Sequence, residues 1–208
     1  MPERAATQHR RALGHAAPWR CAVAVVLLVL ALQAGGDAWQ LALRFERSPL
    51  MHGEQLWRIV TGHLVHLGWV HALLNACGLL LCCALAPARF TPRRLALDVL
   101  WLAVVISSLL LALSPEVTYY MGLSGVLYGL FVCGLVPSAL RGERIAGAAL
   151  FIVLGWMAWQ SIAGPSAAEE QQIGGRIVAS AHVYGAAAAG LLLAGEAAWR
   201  RRLGGRFA

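Results

Sequence analysis

Six apolar stretches run along this chain, each near the roughly 20 residues a helix needs to cross a hydrocarbon layer, with clusters of charged residues, proline and glycine between them. They predict helices at about 19–36, 68–86, 96–114, 121–140, 145–163 and 177–196. The run from Ile59 to Ala88 is longer than one span and carries His63 and His66 in its first part, so the second helix is predicted to start near Gly68, with the residues before it in a loop. The only long connection, Asp37 to about Leu67, mixes charges with Trp39, Leu41, Leu43, Phe45, Leu50, Leu56 and Trp57. That mixture predicts a segment lying in the outer interface rather than free in water.

Composition fixes the solvent. At 59% apolar and 13% charged residues in 208, with a mean hydropathy of +0.65, the chain suits a bilayer and not an ordinary soluble domain. The expected fold is an all-α membrane protein: one domain over 1–208, built as a six-transmembrane-helix bundle. The net charge of +7 does not mark a nucleic-acid partner, because the arginines sort by side. Thirteen of the seventeen basic residues (Arg4, Arg10, Arg11, Arg20, Arg89, Arg93, Arg94, Arg141, Arg144, Arg200, Arg201, Arg202 and Arg206) flank one side. The other side has Arg44, Arg47, Arg58 and Arg176, together with Asp37, Glu46, Glu54, Glu116, Glu169 and Glu170. The positive-inside rule then places both termini in the cytoplasm. A signal peptide is the rival reading of the first stretch, but no clear small-x-small cleavage site follows it. Cys21, Cys77, Cys82, Cys83 and Cys133 all fall inside apolar spans, without metal-ligand or disulfide spacing, and read as packing residues. No metal and no cofactor are expected.

Three of the predicted helices, the second, fourth and sixth, run from outside to inside. Asn75, Ser124 and His182 lie early in them, within about 10 Å of the outer boundary at 1.5 Å rise per residue, and His71 is shallower still. Singly, each has a structural explanation: an intramembrane histidine can bond a carbonyl, and a helical serine its own backbone. Gly122, Gly125, Gly129 and Gly134 need mean no more than close helix packing. Jointly, a nucleophile and a base at one depth predict a Ser124–His182 dyad, since imidazole is suited to take a serine proton near neutral pH. His71 and Asn75, at i and i+4, share a helix face and can both donate to an oxyanion, as can the Ser124 backbone N–H in the first turn of its helix. Gly125 is expected to let substrate backbone approach, and Tyr128, one turn below Ser124, to stack on the imidazole or simply to pack. Asp98 lies at the cytoplasmic end, too far to complete a triad, and is read as an i, i+4 partner of Arg94.

Trp57-Arg58, Thr61, His66, His71, Asn75, Gly122-Leu123-Ser124-Gly125 with Tyr128, and Ala181-His182 with Gly185 form an ordered set that resembles the rhomboid intramembrane serine proteases. The resemblance spans most of the chain. It implies that Ser124 is the nucleophile, His182 the base, and His71 and Asn75 the oxyanion stabilisers, and that Trp57-Arg58 has a structural role in the long first loop. Ala189 departs from a position often held by glycine, but is still small. The short six-helix form, with the run Trp57 to His66 and Gly-Leu-Ser-Gly-Val-Leu-Tyr-Gly, looks like the rhombosortase branch. That likeness implies a multi-pass protein of the bacterial inner membrane, cutting near the periplasmic face exported membrane-anchored substrates that carry a C-terminal Gly-Gly anchor. Partners are then transmembrane protein substrates and the lipid bilayer, with no nucleic acid. A catalytically silent rhomboid-like protein that binds or escorts membrane helices is one alternative. A small transporter is the other, against which no polar residues continue toward the cytoplasmic half.

Overall fold

The structure, a computed structural model, describes residues 19–204; Arg4, Arg10, Arg11 and Arg206 of the charge pattern lie outside the described residues. Helix α1, Trp19–Ala34, breaks at a glycine pair and turns through 114° into α2, Gly36–Leu43. Gly36 sits at φ +66°, a conformation open to glycine and strained for other residues, so the first predicted span ends where the sequence supplies that freedom. A two-residue strand β1, Phe45–Glu46, and two short helices, α3 at Arg47–Met51 and α4 at Arg58–Thr61, fill the long connection. Then come α5, Trp69–Leu85, and α6, Pro92–Leu113. A second short strand β2, Tyr119–Tyr120, precedes α7, Ser124–Leu140. The chain continues through α8, Arg144–Ala163, the short α9, Ala167–Ile173, and α10, Ala179–Gly204.

Helices therefore lie over the stretches that hydropathy marked, and the displaced ends have local causes. Helix α6 starts four residues earlier than the predicted 96, because Thr91 caps it by accepting from the Arg94 N–H and Pro92 occupies the first turn. Helix α7 starts three later than the predicted 121. The chain before it is held extended by antiparallel pairing of Tyr120 with Phe45 and of Tyr119 with Glu46. An all-α expectation does not include this pairing. Helices α6 and α8 are each long and apolar enough to cross a membrane, and α1 joins them when taken with its bent continuation. Helices α5 and α7 are shorter, at 17 residues each, about 26 Å at 1.5 Å per residue. With leucines such as Leu27, Leu73, Leu74, Leu81 and Leu191 and the aromatic Phe151 turned outward, the surface is that of a multi-pass membrane protein.

Helix α7 is the hub, packed against α5, α6, α8 and α10. Its contact with α10 is close because glycine faces glycine and alanine. A Cβ on Gly125 would meet the Ala181 carbonyl, one on Gly185 the Gly125 carbonyl, and one on Gly129 both Leu102 and the Gly185 carbonyl. Without a hydrophobic force between helices in lipid, such backbone approach is the main route to tight association. Helix α8 is the outlier: only Ala146 and Gln160 of it are buried.

The long connection is packed against the bundle in part, while Trp39, Leu41, Leu56 and Trp57 stay exposed. Phe45, His63, Val65 and His66 are all buried to within 1% of full enclosure. Arg58, itself buried, donates to the carbonyls of Leu41 and Arg44 and to Gln55 Oε1, and Thr61 Oγ1 donates to the Leu43 carbonyl. Arg47 closes the C-terminus of α6 by donating to the carbonyls of Leu110, Leu111, Ser114 and Val117. The Leu111 carbonyl has Pro115 four residues on and so no helical N–H to accept from, whereas the Leu110 and Ser114 carbonyls also accept from the Ser114 and Val117 N–H groups; a guanidinium with five donors reaches all of them at once. At the other end of the molecule Asp98, 2% exposed, pairs with Arg94 at 2.8 Å as i, i+4 spacing predicts. The cluster extends beyond that pair: Arg89 lies 3.5 Å from Asp98 and forks onto both Glu196 oxygens at 3.0 Å, and Arg94 also contacts Glu196. The start of α6 and the far end of α10 are thereby tied together.

Candidate active site

The beginnings of α5, α7 and α10 converge on a cavity of about 730 Å³. His71 and Asn75 from α5, Ser124 and Tyr128 from α7, and His182 from α10 all line it, as do Trp156 and Gln160 from α8 and Glu169 and Gln172 from α9. His182 Nε2 lies 2.9 Å from Ser124 Oγ. The tilted ring of Tyr128 stacks on the imidazole, with centroids 4.6 Å apart. His182 Nδ1 has no hydrogen-bond partner among the described residues, and the nearest buried carboxylate cluster, around Glu196, lies about 20 Å further along α10. Among the described residues the imidazole is therefore in contact with the Tyr128 ring and the Ser124 hydroxyl, and no carboxylate partners it.

Why Ser124 stands where it does follows from the residues before it. Gly122 has φ +124°, and its absent side chain leaves room for the His71 ring, which a Cβ there would strike. Tyr120 Oη donates to the Gly122 carbonyl at 2.7 Å and accepts from the Gly125 N–H at 3.4 Å, so one buried hydroxyl clips both ends of the turn. The Gly122 N–H reaches the Gly62 carbonyl at 3.1 Å, and the Leu123 N–H donates to His66 Nε2 at 3.3 Å. His66 in turn packs edge-on against His71, with centroids 5.0 Å apart. One layer out, His63 Nε2 contacts the Ala103 carbonyl and Ser107 Oγ, while Ser107 Oγ donates to the Ile59 carbonyl. The loop before α5 thus forms the bed on which the turn before Ser124 rests.

The donors face the same space. His71 Nδ1 is the acceptor for the Leu67 N–H at 3.5 Å, which leaves Nε2 to carry the proton. Asn75 Nδ2 donates one hydrogen to the His71 carbonyl at 2.9 Å and keeps a second. Ser124 is the first residue of α7, where backbone N–H groups lack helical partners and the helix dipole favours negative charge. A carbonyl carbon next to Ser124 Oγ would present its oxygen to as many as three donors.

One expectation is corrected. Gly125 does not open a path for substrate backbone: it is buried, and the space its side chain would fill is taken by the Ala181 carbonyl and the Tyr120 hydroxyl. Its smallness serves α7–α10 packing. Tyr120, His63 and His66 carry structural work to which no role was assigned from sequence, although two histidines three apart in an apolar run are a signal of it. Gln160 has no signal in the sequence, since a single glutamine near the end of a span carries no pattern.

The Rhomboid domain model matches residues 53–197, which takes in α4 through most of α10 and every residue around the cavity. The chain belongs to the rhomboid family. No curated protein matches the sequence. Rhomboid proteins are generally intramembrane serine proteases acting on transmembrane substrates within the bilayer. For this rhomboid, the cavity beside Ser124 is roomy enough to hold water and sets polar side chains such as His71, Asn75 and Gln160 into an otherwise mainly apolar wall.

Proposed function

We propose that this rhomboid is an intramembrane serine endopeptidase in which Ser124 is the nucleophile and His182 the general base. The observation that carries the reading is the 2.9 Å approach of His182 Nε2 to Ser124 Oγ in a cavity shared with His71 and Asn75. Ser124 Oγ adds to the substrate carbonyl carbon as its proton passes to His182 Nε2. The carbonyl π electrons move to oxygen, where His71 Nε2–H, Asn75 Nδ2–H and the Ser124 N–H donate to the oxyanion. Collapse breaks the C–N bond, and His182 returns the proton to the departing amine. A water then repeats the addition on the acyl-enzyme, giving its proton to the same imidazole and freeing Ser124 with a new carboxylate.

The wider reading is a bundle with six spans and both termini in the cytoplasm, set in a bacterial inner membrane with the cavity facing the periplasm. Its support is the arginine asymmetry and the helices over all six apolar stretches. Within the family, the run Trp57 to His66 and the Gly-Leu-Ser-Gly-Val-Leu-Tyr-Gly element favour rhombosortase-type processing of exported proteins with Gly-Gly C-terminal anchors. The test is co-expression with such a Gly-Gly-anchored protein, mapping the new C-terminus by mass spectrometry. A cut beside the Gly-Gly pair that disappears in Ser124→Ala is expected. An uncut anchor alongside cleavage of ordinary transmembrane reporters would reject the substrate class and keep the protease.

A further inference from the structure

Helix α8 turns almost all of its length outward, yet it buries Gln160 to 6% exposure in the wall of the cavity that holds Ser124 and His182. The Gln160 carboxamide makes no hydrogen bond among the described residues, and its Oε1 is fully enclosed without a partner. Leaving a buried amide unpaired costs on the order of 1–3 kcal/mol, and a leucine would fill the same volume without that cost. A carboxamide that lines this cavity with its acceptor enclosed and unpaired has the features of a binding group, because rotation about its last bonds would turn Oε1 toward a bound chain and give it the partner it lacks.

The chemistry of the reaction states what such a group would bind. A peptide bond inside a membrane helix has its carbonyl occupied by the N–H four residues on, so a substrate must unwind locally before Ser124 can reach it. Unwinding frees backbone N–H and C=O groups in a place with little water, where each must find a partner. A carboxamide presents one acceptor and two donors in a plane and can pair with the N–H and C=O of one extended residue. On the same face of α8, one and two turns from Gln160, Trp156 and Ile152 line a second, apolar cleft of about 280 Å³ that starts at Ser124 and Tyr128. That face therefore offers apolar surface for a side chain beside an amide for the backbone that bears it.

Resting on the protease reading above, we infer that Gln160 binds the unwound backbone of the substrate next to the cleaved bond, as a substrate-positioning residue that does not take part in bond making. The experiment uses the full chain in proteoliposomes and a membrane-anchored peptide substrate. In a substrate series, each peptide N–H near the cleaved bond, other than the one cleaved, is replaced in turn by an ester oxygen. For the wild type, one ester position is expected to raise KM about three- to tenfold with kcat little changed, the size of one lost hydrogen bond. Gln160→Leu and Gln160→Met should show that higher KM already on the all-amide substrate and be insensitive to that ester, while reacting with a small fluorophosphonate at the wild-type rate. Wild-type KM in both variants, ester penalties that persist unchanged in them, or slower fluorophosphonate labelling would each overturn the inference. The two readings fail separately: wild-type protein that neither cleaves nor labels sinks both, whereas cleaving wild type with indifferent Gln160 variants sinks this one alone.

Discussion

Removing the Asn75 amide should leave the enzyme slow but alive. With a second Nδ2 hydrogen unused and its side chain lining the cavity beside His71, Asn75 is proposed as one of three oxyanion donors. Asn75→Ala is expected to lower kcat about 10- to 100-fold with KM nearly unchanged, which steady-state kinetics on a reporter substrate would read. An equal rise in KM would instead assign Asn75 to ground-state binding. Tyr128→Phe keeps the ring that lies 4.6 Å from the imidazole and should retain most activity, whereas Tyr128→Ala should not. At this scale the sequence was highly legible where polar atoms are rare. Ser124, His182, His71 and Asn75 stand out against apolar helices because burying each of them without a use is costly. The same logic hid Gly125, since a missing side chain has no chemistry and is assigned a purpose only by its neighbours. Tyr120 was hidden for another reason: its hydroxyl spans a turn whose shape the sequence does not state.

Among the elements, the α7–α10 pair and the connection before α5 hold Ser124 and His182 in register. Gly185→Val would drive two branched carbons into the Gly125 carbonyl and force α10 away from α7. The expected result is a loss of thermal stability in detergent together with loss of Ser124 reactivity, because the base moves with its helix. Unchanged melting would contradict the packing described. Arg47→Ala removes several donors to the end of α6 and should cost about 1–3 kcal/mol, seen as a lower unfolding midpoint, with the helix content retained. Hydropathy located these helices because a bilayer demands long apolar runs. It misplaced the start of α6 by four residues, since the Thr91 cap and Pro92 act over one turn and leave the average unchanged. The buried fold of the first connection was illegible for a similar reason: it is set by Arg58 and Arg47 reaching carbonyls many residues away.

As a whole, the molecule places the Ser124–His182 cavity at one end of the helices and a charged knot of Arg89, Arg94, Asp98 and Glu196 toward the other. Helix α10 links the two, with His182 in its first turn and Glu196 near its far end. Six crossings would put that knot on the cytoplasmic side and the cavity outside. Reporter fusions in the α6–β2 and α8–α10 connections should then be active only as periplasmic alkaline phosphatase, and fusions in the α5–α6 and α7–α8 connections only as cytoplasmic fluorescent protein. The reverse pattern in any one connection would overturn the six-span topology.

The central claim is that Ser124 is activated by His182. Fluorophosphonate labelling of the protein in its own membranes tests it most directly, because it reads serine reactivity with no knowledge of substrate. Covalent labelling of wild type at Ser124, absent in Ser124→Ala and lost in a folded His182→Ala, is the predicted result. Unlabelled wild type, or full labelling of His182→Ala, would contradict it.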